Sequence, residues 1–195
     1  MKYDPNKHHR RSTRLKAYDY TALGAYFITI CTHQRECLFG EIINGSTQLN
    51  STGSTIHACW LALPRYFQQL TLDRFVIMPN HLHGILWLGN NTGRGEAFGQ
   101  SIPDNRSNLS PNASPLQPCG TQSGSIGAMI QTFKSVSTRR LNQLQGATGK
   151  TVWQRNYHDH IIRNETSLQY IRQYIDNNPL SWQQDQLHPD NPAKW

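Results

Sequence analysis

The sequence has few cysteines and no long apolar run, and each shortage excludes a class of protein. Its four cysteines, at positions 31, 37, 59 and 119, form no Cys-x-x-Cys pair, so we expect free thiols and neither a disulfide framework nor a cysteine zinc site. No apolar run approaches the roughly 20 residues that a membrane-spanning helix needs. The N-terminal residues are basic and lack the apolar stretch of a secretory signal. We therefore expect a cytoplasmic protein with no membrane partner.

Acidic residues are also scarce. The chain has 12 aspartates and glutamates against 19 lysines and arginines, which gives a formal net charge of +7. An excess of this size favours an anionic partner. Six of the basic residues fall within positions 1–16, where we predict a basic N-terminal arm. Such an arm either binds nucleic acid or is a solvated tail, and its charge alone fits both interpretations.

The pattern of apolar residues predicts one α+β domain over residues 17–182. β-Branched and aromatic residues indicate strands within 25–35, 37–50, 72–89 and 151–164, with a hairpin turn at Asn44 and Gly45. Helical spacing predicts helices within 54–70, 126–144 and 165–182, the first bent near Pro64 and the last stopped by Pro179. Helices packed on one face of a mostly antiparallel sheet would leave the other face free to hold a site.

Two further segments differ from this domain in composition. Gly, Ser, Asn, Pro and Gln dominate residues 89–125, and few residues there could pack in a core. We expect a flexible insertion at that point. Residues 183–195, after the last predicted helix, are expected to form a C-terminal tail.

The stretch FVIMPNHLHGILWL, residues 75–88, places two histidines at the start of a predicted strand. Alternate side chains of a strand share a face and lie about 7 Å apart, so His81 and His83 can both face one ion. Imidazole suits Mn, Zn and other transition-metal ions, but two ligands do not complete a site. The alternative is a pair of partly exposed histidines. A second pair, His158 and His160, shows how weak this spacing is alone, and for that pair an exposed strand face is the better interpretation.

The last predicted helix carries a tyrosine and an asparagine on one face. Tyr174 and Asn178 are four residues apart, and Tyr170 extends the same face by a turn. A tyrosine can act as a nucleophile once its pKa of about 10 is lowered or its proton is removed, and an asparagine oxygen can be a third metal ligand. The alternatives are tyrosines that pack in a core or interface, and an asparagine that ends a helix before proline.

The chain resembles the REP-associated tyrosine transposases in four segments, which are DRFVIMPNHLHGIL (73–86), TFKSVSTRRLN (132–142), VWQRNYHDHIIRNE (152–165) and YIRQYIDNNP (170–179). These enzymes belong to the HUH endonuclease superfamily, alongside the single-tyrosine transposases of small insertion sequences. The opening stretches RRSTRLKAYDY (10–20) and GAYFITICT (24–32) fit the same family. The resemblance runs in order over about residues 8–88 and 126–182.

The resemblance implies a fold, a reaction and a set of roles. The fold would be a ferredoxin-like antiparallel sheet with helices on one face and the active site on the other. His81 and His83 would be ligands of a divalent metal ion, Mg²⁺ or Mn²⁺, with Asn178 as third ligand and Tyr174 as nucleophile. The implied enzyme cuts single-stranded DNA near hairpins such as REP-like palindromes, forming a 5′-phosphotyrosine link and a free 3′-OH that permits later strand joining. Monomer and homodimer both remain open.

The same interpretation assigns the basic residues to DNA. Lysine and arginine side chains neutralise backbone phosphates and supply sequence-independent affinity. The predicted DNA-binding residues are Arg10, Arg11, Arg14 and Lys16 in the arm, and Lys134, Arg139 and Arg140 on the helix at 126–144.

Two other functions compete with a transposase. A non-catalytic regulator that binds DNA hairpins would keep the basic residues but would need neither Tyr174 nor the histidines. A metal-dependent phosphodiesterase that uses water would want carboxylate ligands near the histidine pair, and the segment NHLHGIL contains none.

Overall fold

The computed structural model describes residue 15 and residues 18–89 and 121–191. Most of the predicted insertion, and the predicted DNA-binding residues Arg10, Arg11, Arg14 and Lys16, lie outside these ranges. Across the described residues, no helix is long and apolar enough to cross a membrane.

The described part of the chain forms one four-stranded sheet, one hairpin and three α-helices. In chain order these are β1 (Gly24–Cys31), β2 (Gly40–Ile43), β3 (Ser46–Leu49), α1 (Ser51–Leu61), β4 (Leu70–Met78), β5 (His81–Leu88), α2 (Ile126–Leu144), β6 (His158–Ile162) and α3 (Glu165–Asn177). The main sheet has the strand order β4-β5-β1-β6, and each pair of neighbours is antiparallel. Strands β2 and β3 form the separate hairpin. This is the expected α+β, ferredoxin-like arrangement.

Apolar side chains cover one face of the sheet and part of the other. Helices α1 and α2 cover one face, where Trp60 of α1 and Phe133 of α2 belong to the main core. Gly84 of β5 admits Trp60, because a Cβ on Gly84 would lie 2.5 Å from the Trp60 ring. Helix α3 packs on part of the opposite face, where Ile171 and Ile175 form a second cluster with β1 and β5. The remainder of that face is polar.

Local sequence signals account for where the helices begin. The side chains of Asn50, Ser125 and Asn164 each accept a hydrogen bond from a backbone N–H in the first turn of α1, α2 and α3. This is the usual N-cap arrangement. Helix α2 has the predicted bounds, whereas α1 begins three residues before the predicted Ser54.

The last two predicted elements are shorter than expected. Helix α3 ends at Asn177, and Pro179 opens a 3-10 turn, Pro179–Gln184, because proline fits a first helical turn but cannot donate within one. Strand β6 covers only five residues of the predicted 151–164, and Trp153 forms an isolated bridge with Thr32. Beyond the 3-10 turn, Asp185 and Leu187 are buried. Part of the segment predicted as a tail therefore packs on the sheet.

Candidate active site

His81 and His83 begin strand β5 and lie on the polar part of the face that α3 partly covers. Both side chains are buried, and their ring centroids are 4.5 Å apart. Strand pairing places Cys31 beside His81, and Thr29 beside His83. The period-two spacing therefore brings both imidazoles to one face, as the sequence pattern predicts.

Asn80 determines which nitrogen of His81 faces the site. Its Nδ2 donates to the backbone carbonyls of Arg35, at 3.1 Å, and Leu187, at 2.7 Å, which leaves Oδ1 as the atom 2.8 Å from His81 Nδ1. Because Oδ1 can only accept, Nδ1 carries the proton and Nε2 keeps a free lone pair. Hydrogen bonds of this kind orient histidine ligands in metal sites.

His83 is held in a comparable way. Its Nδ1 lies 2.8 Å from the hydroxyl of Thr29, the residue beside it on β1. Its Nε2 lies 3.3 Å from the hydroxyl of Tyr174. Burial moves the pKa of His83 well below its usual value, and the neighbouring His81 lowers it further. A neutral His83 therefore accepts the Tyr174 hydrogen bond at Nε2 when Nδ1 donates to Thr29.

Asp185 joins this cluster, and sequence reasoning missed it. It follows the 3-10 turn after α3, and its Oδ2 lies 3.8 Å from His81 Nε2. His81, His83 and Asp185 each offer one ligand atom, and these atoms lie within 4.8 Å of one another. The local segment NHLHGIL lacks a carboxylate, but the fold supplies one from about a hundred positions later in the chain.

Three atoms in this cluster are buried without a hydrogen-bond partner among the described residues. They are His81 Nε2, Asp185 Oδ2 and Asn178 Oδ1. Burial lowers the pKa of His81 to about 3, so a proton on Nε2 does not link His81 to Asp185. Two acceptors that face each other at 3.8 Å repel unless a positive charge lies between them. The donor set, two imidazoles with a carboxylate and an amide oxygen, suits a divalent transition-metal ion.

Asn178 lies immediately after α3 and connects this cluster with Tyr174. Its side chain is close enough to raise the pKa of His81 and to lower that of Tyr174. The helix ends just before this residue, and Pro179 after it opens the 3-10 turn. The structure therefore brings Asn178, Tyr174 and both histidines to one place.

Tyr174 forms the wall of the site opposite the sheet. Burial and the negative charge of Asp185 raise its pKa to about 12, against a smaller opposite effect of Asn178. Its ring meets Phe27 edge-on, with centroids 6.0 Å apart. The Tyr174 side chain is 40% exposed, whereas that of Tyr170 is 72% exposed and is not part of the cavity wall. Of these two tyrosines, Tyr174 is the one that presents its hydroxyl to the cluster.

An ion pair attaches α3 to the sheet at a bulge in β4. The register of β4 on β5 shifts between Leu72 and Phe75, and Asp73 in this bulge accepts hydrogen bonds from Arg172 at 2.6 and 3.2 Å. Trp87 Nε1 also donates to Asp73, at 3.0 Å. Burial raises the pKa of Asp73, but these hydrogen bonds outweigh it and the net shift is downward. Such bidentate pairs are geometrically specific, so α3 has a fixed position relative to β5.

A cavity of about 620 Å³ opens beside the cluster, lined by residues that include His83, Tyr174, Asn178 and Asp185. His158 also lines it, because strand pairing places His158 beside Thr29, and Thr29 beside His83. His160, one alternate position along β6, does not line it. The two histidines of the second pair therefore have different surroundings.

The three predicted DNA-binding residues of α2 differ in their contacts, although Lys134 and Arg139 line the same cavity. Lys134 donates two hydrogen bonds of 2.7 Å to the backbone carbonyls of Gln154 and Asn156, and burial lowers its pKa to about 8. Arg140 lies near Cys59 of α1, with its Nη1 3.8 Å from the sulfur. Arg139 lines a second cavity, of about 890 Å³, together with Lys150 and Arg155. That cavity has no aspartate or glutamate among the described residues that line it.

Comparison with known proteins gives a relative in sequence and solved structures of similar fold. No family model matches the sequence. A Haemophilus influenzae protein, described only as an uncharacterized protein, is 45% identical over 192 residues, which is 97% of this chain and 98% of that protein. The structure of a REP-associated tyrosine transposase bound to a REP hairpin is similar in fold, with a TM-score of 0.51 and 15% identity, over 93% of this chain and 91% of the other. The chain belongs to the same family as the Haemophilus protein.

Proposed function

We propose that the chain is a divalent-metal-dependent enzyme that cuts and joins single-stranded DNA near hairpins, with Tyr174 as its nucleophile. The observation that carries the proposal is the position of the Tyr174 hydroxyl, 3.3 Å from His83 Nε2 and beside three buried acceptors that have no hydrogen-bond partner among the described residues. The fold it shares with a REP-associated tyrosine transposase bound to a REP hairpin supports the same class of reaction.

The residues that would hold the cation are His81, His83, Asp185 and Asn178. Two ligand atoms that are each about 2.1 Å from one ion lie roughly 3 to 4.2 Å apart, depending on the angle at the ion. The 3.8 Å between His81 Nε2 and Asp185 Oδ2 falls in that range. Nitrogen and oxygen donors in this mixture fit Mn²⁺ well and are compatible with Mg²⁺. When bound, the cation would polarise the scissile phosphate and stabilise charge on the departing 3′ oxygen.

Tyr174 would carry out the covalent step. Its Oη forms a bond to the scissile phosphorus while the bond from phosphorus to the 3′ oxygen breaks. The phenol proton passes to water in the cavity, and the 3′ oxygen takes a proton from water and leaves as a free hydroxyl. The phosphotyrosine keeps the phosphodiester as a covalent link that a 3′-OH can attack later, which is what strand joining requires.

The basic cavity beside α2 fits the backbone of the same DNA. Arg139, Lys150 and Arg155 line it, and cationic side chains bind phosphates without regard to sequence. Gln154 lines both this cavity and the one at Tyr174. The two cavities are therefore adjacent, and one DNA strand can occupy both.

The direct test is a search for a covalent protein–DNA adduct. Labelled single-stranded DNA with a hairpin is incubated with the chain and Mn²⁺ or Mg²⁺, then run on a denaturing gel. We expect an adduct from the wild type and from Tyr170→Phe, and none from Tyr174→Phe, which should still bind the hairpin because it loses only one hydroxyl. An adduct from Tyr174→Phe would assign the chemistry to another residue.

The carboxylate of Asp185 favours a second candidate, a phosphodiesterase that activates water at the same cation. That enzyme would release a free 5′-phosphate, form no adduct and keep its activity in Tyr174→Phe. Hairpin binding without any cleavage, in either metal, would instead indicate the non-catalytic regulator.

A further inference from the structure

The cavity beside Tyr174 extends beyond the candidate cation site, and its outer wall has a chemistry that the proposed reaction does not use. This wall combines planar rings with side-chain amides. Its members come from the loop before β6, the start of β6 and the segment after α3, and they are Asn156, Tyr157, His158, Gln184 and Gln186.

Ring faces are the first feature of this wall. Tyr157 is partly buried, with part of its ring packed against the main core while it lines the cavity. His158 is exposed at the first position of β6. Phe27 of β1 also lines the cavity and stacks on His83, with centroids 5.3 Å apart and planes inclined by 27°. Surfaces of this kind stack with nucleobases, at about 1–3 kcal/mol per base.

Side-chain amides are the second feature. Asn156, Gln184 and Gln186 are all exposed at the cavity. The Gln184 and Gln186 amides make no hydrogen bond with any described residue. An amide presents a donor and an acceptor side by side, which matches the edge of a nucleobase.

Charge distinguishes this wall from the neighbouring cavity. Its amides are neutral, whereas the cavity beside α2 collects Arg139, Lys150 and Arg155. A phosphate therefore fits the basic cavity or the cation site better than this wall. An uncharged planar group that can form hydrogen bonds fits the wall better than a phosphate.

We propose that this wall is a nucleobase pocket that holds and reads one base next to the scissile phosphate. Tyr157 and His158 supply stacking surface, and Gln184 and Gln186 bind the edge of the base. The inference rests on the proposed function, because it places a phosphate of single-stranded DNA beside Tyr174. It goes further in assigning sequence preference to named side chains outside the cation site.

The test uses full-length chain with Tyr174→Phe, so that binding is measured without covalent capture. The probe is a pool of DNA hairpins with a randomised single-stranded flank, and the bound fraction is sequenced. We expect one flank position to favour one base by about tenfold or more, the usual discrimination of a good amide–base pair. Adding Gln184→Ala and Gln186→Ala should remove that preference and retain binding. Adding Gln183→Ala, an exposed glutamine outside the cavity wall, should change neither.

Each outcome decides the matter. A bound pool without any preferred base overturns the pocket while leaving DNA binding intact, and so does a preference that survives the double substitution. A pool that does not bind at all overturns the proposed function as well.

The two histidines of β6 provide a matched test of stacking. His158→Ala should weaken binding of the preferred flank about fivefold or more. His160→Ala, on the same strand and face but outside the cavity wall, should leave it unchanged. Equal effects of the two substitutions would remove His158 from the pocket.

Discussion

The side chains that β5 places on one face of the sheet form two groups, an apolar half and a polar half. Ile85 and Trp87 pack beneath α3 in an apolar cluster, whereas His81 and His83 face Tyr174 and Asp185. Both halves are buried, so exposure does not distinguish them. The difference is that the apolar half is fully packed, whereas the polar half has acceptors without a hydrogen-bond partner among the described residues. One end of β5 thus holds α3 in place by apolar packing, and the other end lies beside acceptor atoms that could bind a cation.

Packing in the apolar half determines where the residues of the polar half lie. Ile171 and Ile175 of α3 pack in the apolar cluster, and Arg172 is bound to Asp73 of β4. Tyr174 and Asn178 follow on the same helix and at its end. The position of Tyr174 is therefore set by packing and one ion pair rather than by contacts inside the site. Four changes, taken from the largest expected effect to the smallest, should affect the apolar and polar halves differently.

Acidification should destabilise the polar half most strongly. Burial lowers the pKa of His81 to about 3, and that of His83 also falls far below its usual value. Unfolded histidines take up protons below about pH 6.5 and the native pair does not, so stability is lost as the pH falls through that value. From about pH 7.5 to about pH 5 the free energy of unfolding should decrease by roughly 4 kcal/mol for the two groups together. Urea unfolding with a chelator present measures this, and a pH dependence that is unchanged in His83→Gln would contradict it.

Ile85→Ala should damage the apolar half alone. Ile85 is almost fully buried, and removing such a side chain from a core costs about 3 kcal/mol. This loss in the free energy of unfolding should be the same at about pH 7.5 and about pH 5, since the substitution changes no titrating group. Mn²⁺ affinity, measured by calorimetry on the folded variant, should stay at the wild-type value. A large loss of Mn²⁺ affinity would show that the two halves are not separable.

Asp185→Asn should affect stability and metal binding in opposite directions. Without metal, an amide at this position can donate to His81 Nε2, so the free energy of unfolding should rise by about 1 kcal/mol. Stabilisation by added Mn²⁺ should be lost, because a charged ligand is gone. Thermal unfolding with and without Mn²⁺ measures both effects, and Asp190→Asn, whose side chain is 90% exposed, is the control. Unchanged stabilisation by Mn²⁺ would exclude Asp185 as a ligand.

Tyr174→Phe should tighten Mn²⁺ binding modestly. The Tyr174 hydroxyl bonds the same His83 nitrogen that a cation would use, so the two compete. Losing one net hydrogen bond of roughly 1 kcal/mol should raise affinity by about three- to tenfold. Tyr170→Phe should have no effect, because Tyr170 lies outside the cavity wall. Weaker Mn²⁺ binding in Tyr174→Phe would instead make the phenol a ligand.

Short-range patterns predicted the elements of this fold and the shared face of the histidines. Helix α2 matches its prediction because Ser125 and the helical apolar spacing mark its limits. His81 and His83 share a face because side chains alternate along any strand. Both inferences need only neighbours in sequence.

Long-range contacts were not predictable in the same way. Asp185 reaches His81 only through the turn at Pro179, and Asn80 orients His81 only because two distant carbonyls bind its amide. The segment NHLHGIL itself contains no carboxylate, but the folded site has one, that of Asp185. Lys134 and Arg139 are both basic residues of α2, and the sequence does not distinguish their roles. In the structure, however, the Lys134 amine is bound to two backbone carbonyls. In each case the partner is set by tertiary packing, which no local pattern encodes.

The late position of Asp185 has a consequence for how the chain is made. A ribosome synthesises the histidines of β5 long before it reaches Tyr174, and Asp185 follows later still. A nascent chain can therefore form most of the sheet while the cation cluster still lacks its carboxylate. The cluster of candidate metal ligands is therefore complete only after synthesis has passed this residue.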